Sequence, residues 1–278
     1  MAITAYPPSA LPELRRSAPN RRRVSILGVG IDAVSRADAE RALAGFVHDG
    51  GHHQVVTVNI DFLSIATRNA AFKQLVNEAD LVTADGKPLL WAARYLGSSI
   101  PERITGPDLI SMAARHSLTH GSSMFFLGAA PGVAAAAVEQ LREKYGSIGV
   151  AGVYSPPIGK IDGEEDVRIR TLIRDARPDF LFVALGCPKQ DFWIDEHRDL
   201  DVPVAVGIGG SFDFLSGRIR RAPSWAQHSG LEWAFRLAHE PRRLAKRYLV
   251  DDVRTVAQIG LSKFRAREQE ASSRRERA

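Results

Sequence analysis

The chain has 278 residues, 45% of them hydrophobic and 25% charged, with a net charge of +5. These are the proportions of a soluble globular protein with room for one large domain or two small ones. A single cysteine, Cys187, rules out an internal disulfide, and no apolar run reaches the roughly 18 residues that cross a bilayer.

Met1 to Arg23 carries prolines and arginines but no apolar core segment, so it is not a secretory signal and is expected to be a disordered leader. Val24–Val29 is a short apolar run, and Arg36–Val47 reads as a helix. Gln54–Val58 is β-branched and extended. One helix is expected over Ile60–Asn77, with Leu63, Ala66, Ala70 and Leu75 on a rough stripe. Asp80–Thr83 reads as a strand and Lys87–Leu96 as a helix. Gly106–Leu118 is a further helix, with Pro107 suited to its first position. Strand Met124–Leu127 leads to an Ala-rich helix, Pro131–Lys144, and strand Ile148–Val153 to a Pro/Gly loop ending at Gly163. Helix Asp166–Ala176, strand Phe180–Leu185, helix Pro188–His197 and strand Val202–Val206 complete the alternation. The pattern predicts an α/β, Rossmann-like fold with a mostly parallel sheet covered by helices.

After Gly217 the alternation stops. Ala222 to Arg254 reads as all-helical, broken at Glu240-Pro241 because proline disfavours helix in its predecessor. Arg265 to Ala278 is expected to fray. From Arg218 onward there are 15 Lys/Arg and 7 Asp/Glu, against 22 and 25 before it. A basic C-terminal piece on a mildly acidic body points to an anionic surface, either membrane or nucleic acid.

Glycines and polar residues cluster where strands end: Thr57-Val58-Asn59, Thr83-Ala84-Asp85-Gly86, Leu127-Gly128, Gly186-Cys187-Pro188-Lys189-Gln190 and Gly207-Ile208-Gly209-Gly210. Open α/β sheets bind ligands at their carboxyl edge, so these residues predict one shared crevice. Each has a plainer reading as well. Asp85 is either a general base or the N-cap of the helix from Lys87. Thr57 and Asn59 bind phosphate or hydroxyls, or serve a turn that Asp61 caps. Gly186 and Gln190 open a helix whose N-terminus suits a phosphate, or form an ordinary strand-to-helix turn. Gly209 allows a ligand to approach the backbone, and Asp213, between two phenylalanines, meets that ligand or caps locally. Arg103 suits a phosphate, or pairs with Asp108. Cys187 reads as a small filler. Arg243, Lys246 and Arg247 share one helical face, either against a membrane or solvated.

Two further patterns carry less. Gly28-x-Gly30-x-x-Ala33 matches the dinucleotide fingerprint but lacks an acid closing the second strand. Asp199-x-Asp201 precedes the last strand, at the wrong edge for the crevice. No His/Cys cluster has metal-ligand spacing, so no metal and no cofactor is expected.

In their joint order, these strings resemble the WecG/TagA/CpsF family of bacterial glycosyltransferases. The resemblance rests on Thr57-x-Asn59, Ala84-Asp85-Gly86, Glu102-Arg103-x-x-Gly106-x-Asp108-Leu109, Gly186-x-Pro188-x-Gln190 and Gly207-x-Gly209 running to Phe212-Asp213. Arg221-Ala222-Pro223, Leu231-Glu232-Trp233-x-x-Arg236, Glu240-Pro241 and Arg247-Tyr248 extend it. Asp191 departs from it, since the family usually has glutamate there. The resemblance implies metal-independent, inverting transfer of a sugar from a UDP donor to a polyprenyl-diphosphate-linked sugar. It makes Asp85 the base, and it puts Thr57, Asn59, Arg103, Gly128, Gly186, Gln190, Gly209 and Asp213 around the substrates. Arg236, Arg243 and Arg247 then serve the acceptor and an anionic membrane on the cytoplasmic side, and self-association is implied. On this reading residues 1–23 are a leader, 24–217 the nucleotide-sugar-binding catalytic domain, 218–262 a membrane-associating appendage and 263–278 a frayed tail. A nicotinamide-dependent oxidoreductase using Gly28 and Gly30 is the competing enzyme reading. A nucleic-acid-binding protein using the basic tail is ranked last, because the tail has no helix-turn-helix or zinc pattern.

Overall fold

The computed structural model describes residues 22–157, 161–219, 222–223, 226, 230 and 232–276, with residues 243 and 265–276 described by backbone alone. The leader up to residue 21, Lys160 of the Pro/Gly loop, and Arg221 and Leu231 of the strings above lie outside the described residues.

Six parallel strands form the central sheet: β3 (His53–Val58), β4 (Leu81–Ala84), β5 (Ser123–Gly128), β6 (Gly149–Tyr154), β7 (Phe180–Ala184) and β8 (Val204–Gly207). Their spatial order is β4-β3-β8-β7-β5-β6. The strands are apolar on both faces, as a sheet covered on both sides requires. Phe180 and Phe182 of β7 face one core with Phe126 and Val206, while Leu181 and Val183 face the other with Leu127 and Ala205. Burial of each such side chain contributes about 1.5–3 kcal/mol.

On the first face lie α1 (Arg36–Asp49), α5 (Gly106–His120), α6 (Val133–Tyr145) and α9 (Ser211–Leu215). On the other lie α2 (Ile60–Ala66), α3 (Ala70–Glu78), α4 (Lys87–Tyr95), α7 (Gly163–Ala176) and α8 (Lys189–Glu196). Capping boxes begin α1 (Ser35 with Asp38) and α5 (Thr105 with Asp108), satisfying N–H groups that the first helical turn leaves open.

Three stretches differ from the sequence expectation. The helix expected over 60–77 is two helices, because the Asn69 side chain accepts from Phe72 N–H at 3.0 Å and starts α3 afresh. The first apolar run is an antiparallel hairpin, β1 (Arg23–Ile26) and β2 (Val29–Asp32), with Leu27 and Gly28 in its turn. Asn77 pins that turn, accepting from Gly30 N–H at 2.8 Å and donating to the Gly28 carbonyl at 2.9 Å. Gly28 therefore lies in a hairpin turn and Gly30 within β2, without the strand–turn–helix geometry of a dinucleotide loop, and the oxidoreductase reading loses its residues. The charged stretch from Arg265 is helical as far as Glu276.

The hairpin also closes one edge of the sheet. Buried Asp32 accepts the outward N–H of Val82 in β4 at 2.7 Å, and Ile104 N–H takes the Ala84 carbonyl at 2.9 Å. Arg23, within the stretch read as leader, holds Asp32 at 3.1 Å and reaches the carbonyls of Asn77 and Ala79.

From Glu232 to Glu276 the chain is helical apart from the break at Glu240: α10 (Glu232–His239), α11 (Pro241–Lys246), a π-helical stretch (Arg247–Asp252) and α12 (Val253–Glu276). The break falls at Glu240-Pro241 as the sequence predicts. Leu244, Tyr248 and Ile259 are buried, the π-helical stretch packs on α2, and Ile259 joins the core beside α2, α3 and α4. Arg68 pairs with Asp251 at 2.8 Å across the same contact. Among the described residues no helix is long and apolar enough to cross a membrane.

Candidate active site

Because the six strands are parallel, their carboxyl ends share one edge. A cleft of about 440 Å³ opens there, between the ends of β3, β4, β7 and β8 and the inner side of α10 and the π-helical stretch.

Asp85 follows β4 directly, and its N–H donates to the Val58 carbonyl at 2.6 Å. It does not cap α4: the N-cap position is Gly86, and no side-chain cap bond is made. The carboxylate is left to face the cleft. Burial raises its pKa to about 7, Arg103 works against that rise, Glu232 and Asp108 add to it, and Arg236 opposes it.

Thr57 and Asn59 line the cleft from the end of β3. The Thr57 hydroxyl donates to the Gly207 carbonyl at 3.3 Å. Asn59, not Asp61, caps α2, accepting from Phe62 N–H at 3.2 Å. Asp61 is 3.4 Å from Nε of Arg247 instead.

Gly186 and Gln190 enter from β7 and α8, and Gly209 and Asp213 from the loop after β8 and from α9. Buried Gln190 accepts from Gly209 N–H at 3.0 Å, so its carbonyl oxygen shapes the glycine loop. A side chain at Gly207 would place its Cβ 2.6 Å from Oδ1 of Asp191 and 2.7 Å from Nε2 of Gln190, so only glycine fits. Burial raises the Asp191 pKa to about 7 and pushes the Cys187 thiol up, away from the reactive thiolate. Asp213 lies 3.8 Å from Arg218.

Arg103 does not pair with Asp108. Asp108 closes the capping box of α5 and pairs with Arg36 at 2.9 Å. Arg103 Nη1 donates instead to Glu232 of α10 at 3.0 Å, inside the cleft.

Gly128 is the one expected substrate residue not among those lining the cleft. It ends β5, where a Cβ would lie 2.6 Å from the Ala184 carbonyl, and its own carbonyl accepts from the Ser155 hydroxyl at 3.0 Å. It is a glycine because two strands meet closely there.

Arg236 and Arg247, expected from the family resemblance to serve the acceptor and the membrane, line the cleft. Arg236 lies over the Phe214 ring at 5.1 Å. The side chain of Arg243 lies outside the described residues.

Lys87, Trp233, Tyr248 and Asp252 also line the cleft; Trp233 and Tyr248 belong to the strings that carry the resemblance, and Lys87 and Asp252 were not selected from sequence. Glu232 and Arg236 are four apart, so they share one helix face, and this spacing was the available signal. Burial raises the Asp252 pKa to about 6. Among the described residues no group of three or more His, Cys, Asp or Glu is gathered to hold a metal ion.

Comparison with known proteins gives consistent matches. Residues 24–269 match the family described as Glycosyl transferase WecG/TagA/CpsF. An N-acetylglucosaminyldiphosphoundecaprenol N-acetyl-beta-D-mannosaminyltransferase of Bacillus spizizenii is 35% identical over 190 residues, covering 68% of this chain and 72% of that protein. A Staphylococcus aureus protein of the same name is 29% identical over 230 residues, covering 82% of this chain and 89% of the relative.

Proposed function

The chain belongs to the WecG/TagA/CpsF family of glycosyltransferases, and from that premise we propose that it transfers a hexose-type sugar from a UDP donor to a polyprenyl-diphosphate-linked sugar. The relatives' names specify an N-acetylmannosamine unit and an N-acetylglucosaminyl-diphospho-undecaprenol acceptor, and we take these as the first substrates to test. The reaction belongs to the synthesis of a cell-surface polysaccharide.

The observation that carries this reading is the uncommitted Asp85 carboxylate, facing Arg103 and the glycine loops across one cleft. Single displacement needs a base on one side of the anomeric carbon and a stabilised leaving group on the other. Asp85 takes the proton of the acceptor hydroxyl as its oxygen bonds the anomeric carbon. The bond to the UDP oxygen breaks, inverting that carbon, and UDP leaves with the electron pair. A carboxyl raised to about 7 is matched to this task near neutrality. Backbone N–H groups around Gly186 and Gly210, with Arg103, Arg236 and Arg247, meet the charge that develops on the diphosphate. No step calls on a metal ion.

The acceptor places the enzyme at a lipid surface, on the cytoplasmic side of the membrane. Leu249, Val250, Val253, Val256, Leu261 and Phe264 are each more than half exposed along the π-helical stretch and α12. Trp91 and Tyr95 of α4 are also exposed, and Tyr95 contacts both Gly260 and Lys263 of α12. Apolar and aromatic residues beside basic ones suit the headgroup boundary of an anionic bilayer. Nearby Lys and Arg each contribute about 1 kcal/mol there.

Replacing Asp85 with Asn tests the base. Transfer to a short-chain polyprenyl-diphosphate N-acetylglucosamine is expected to fall about 100- to 10,000-fold, with UDP binding retained by calorimetry. Wild-type turnover by Asp85→Asn ends the assignment. The same assay across a panel of UDP-sugars identifies the donor.

A further inference from the structure

The cleft holds its own anions against its own cations. Arg103 is bound to Glu232 at 3.0 Å, with the two side chains 17% and 26% exposed. Arg247 lies 3.4 Å from Asp61 on the opposite side. A nucleoside diphosphate entering this space brings negative charge to guanidinium groups that are already engaged. Only Nη1 of Arg103 donates to Glu232, so the contact is a single hydrogen bond, not the two-pronged fork that arginine makes with a fully committed partner. Glu232 sits in the first turn of α10, one turn before Arg236, and both side chains face the cleft.

We propose that Glu232 is a resident stand-in for the donor's phosphate: it holds Arg103 in the empty cleft and yields that guanidinium when a nucleoside diphosphate binds. Glu232 acts through Arg103 and does not touch the reacting atoms, so it is a positioning residue. The exchange swaps one anion for another on the same cation, so Arg103 is paired both before and after the donor binds. It keeps Arg103, which lies near Asp85, from being an unpaired, largely buried cation before substrate arrives. The same exchange frees Glu232 and gives α10 one tie fewer to the body whenever the donor site is filled. This inference rests on the donor-site reading above.

The test is UDP binding by calorimetry to the full chain, in a double-mutant cycle. Glu232→Gln removes the competing charge and is expected to tighten UDP binding about tenfold, just under the smallest couplings measured for close charge pairs. The donor KM falls in parallel. In an Arg103→Ala background, Glu232→Gln is expected to have no effect on UDP binding, because the guanidinium it competes for is gone.

A second readout is the pH profile of the rate. The charged groups facing Asp85 are Arg103 before α5, Asp108 on α5, and Glu232 and Arg236 on α10, with Lys87 of α4 in the same cleft. Removing the Glu232 charge lowers the acid midpoint of the rate, and Glu232→Gln keeps the side-chain volume, so the burial that raises Asp85 is retained. Glu232→Ala is measured alongside, and the gain must appear in any variant that melts like the wild type. Equal or weaker UDP binding in those variants, or a gain that survives Arg103→Ala, overturns the proposal while the donor site stands. Failure of the wild type to bind UDP overturns the donor site and this inference together.

Discussion

The α/β body and the C-terminal helices are held by different forces. In the body, strands β4 and β8 are buried along their whole length, and three apolar clusters fill both faces of the sheet. In the C-terminal helices, α10 has no buried residue, and the anchors are Leu244, Tyr248 and Ile259. Ion pairs supply further links, among them Arg103 with Glu232, Arg68 with Asp251 and Arg247 with Asp61, and Arg236 lies over Phe214. The body's shape follows from what it buries within itself. The position of the C-terminal helices follows from contacts on someone else's surface, and several of those contacts lie inside the cleft.

Removing the C-terminal helices is the strongest way to break this comparison. A chain ending at Gly217 loses Ile259 from the body's clusters and is expected to unfold cooperatively by calorimetry. It also loses Arg236, Arg247 and Glu232 from the cleft, and transfer to lipid-linked acceptor is expected to drop about a hundredfold or more. Undiminished transfer sinks the functional half of the contrast, and a non-cooperative melt sinks the structural half.

The pH profile sharpens the contrast, because Asp85 belongs to the body while two of the charges facing it belong to α10. A base must be ionised to accept a proton. With Asp85 raised to about 7, the rate is expected to fall about tenfold per pH unit below that value and to level off above it. Stability runs the other way. The folded carboxyl holds its proton more tightly than the unfolded one, so its contribution is full below the ordinary value of 3.8. That contribution is lost as the pH rises through about 7.

Arg68→Ala gives the smallest effect. Its partner Asp251 lies across an exposed contact, and such pairs contribute about 0–1 kcal/mol. A larger loss in denaturant melts shows that the C-terminal helices depend on that pair more than a surface ion pair allows.

The sheet was legible because β-branched and aromatic runs recur between amphipathic helices, and each run ends in glycine or a small polar residue. Asp85 was legible for the same reason, although only the structure shows that Gly86 takes the cap position and leaves the acid unspent. The hairpin was missed because its turn at Leu27-Gly28 interrupts one short apolar run without a polar break. The split between α2 and α3 was missed because the hydrophobic stripe runs on through Thr67-Arg68-Asn69, while a single side-chain hydrogen bond at Asn69 decides the boundary. The partner of Arg103 was beyond local reasoning: Asp108 is nearer in sequence, but the capping box and Arg36 already occupy it. Gly128 shows why a glycine is ambiguous in a sequence, because close packing against Ala184 and close approach to a ligand leave the same mark.

Asp32 has a consequence for assembly. By occupying the outward amide of Val82, it shutters the sheet along β4, and β6 is left as the outermost strand on the other side. A molecule with one sticky margin can join a twin margin to margin, but it cannot pass the contact onward. Sheet-to-sheet pairing of copies would therefore have to use the β6 margin, because Asp32 and Ile104 already occupy the margin at β4.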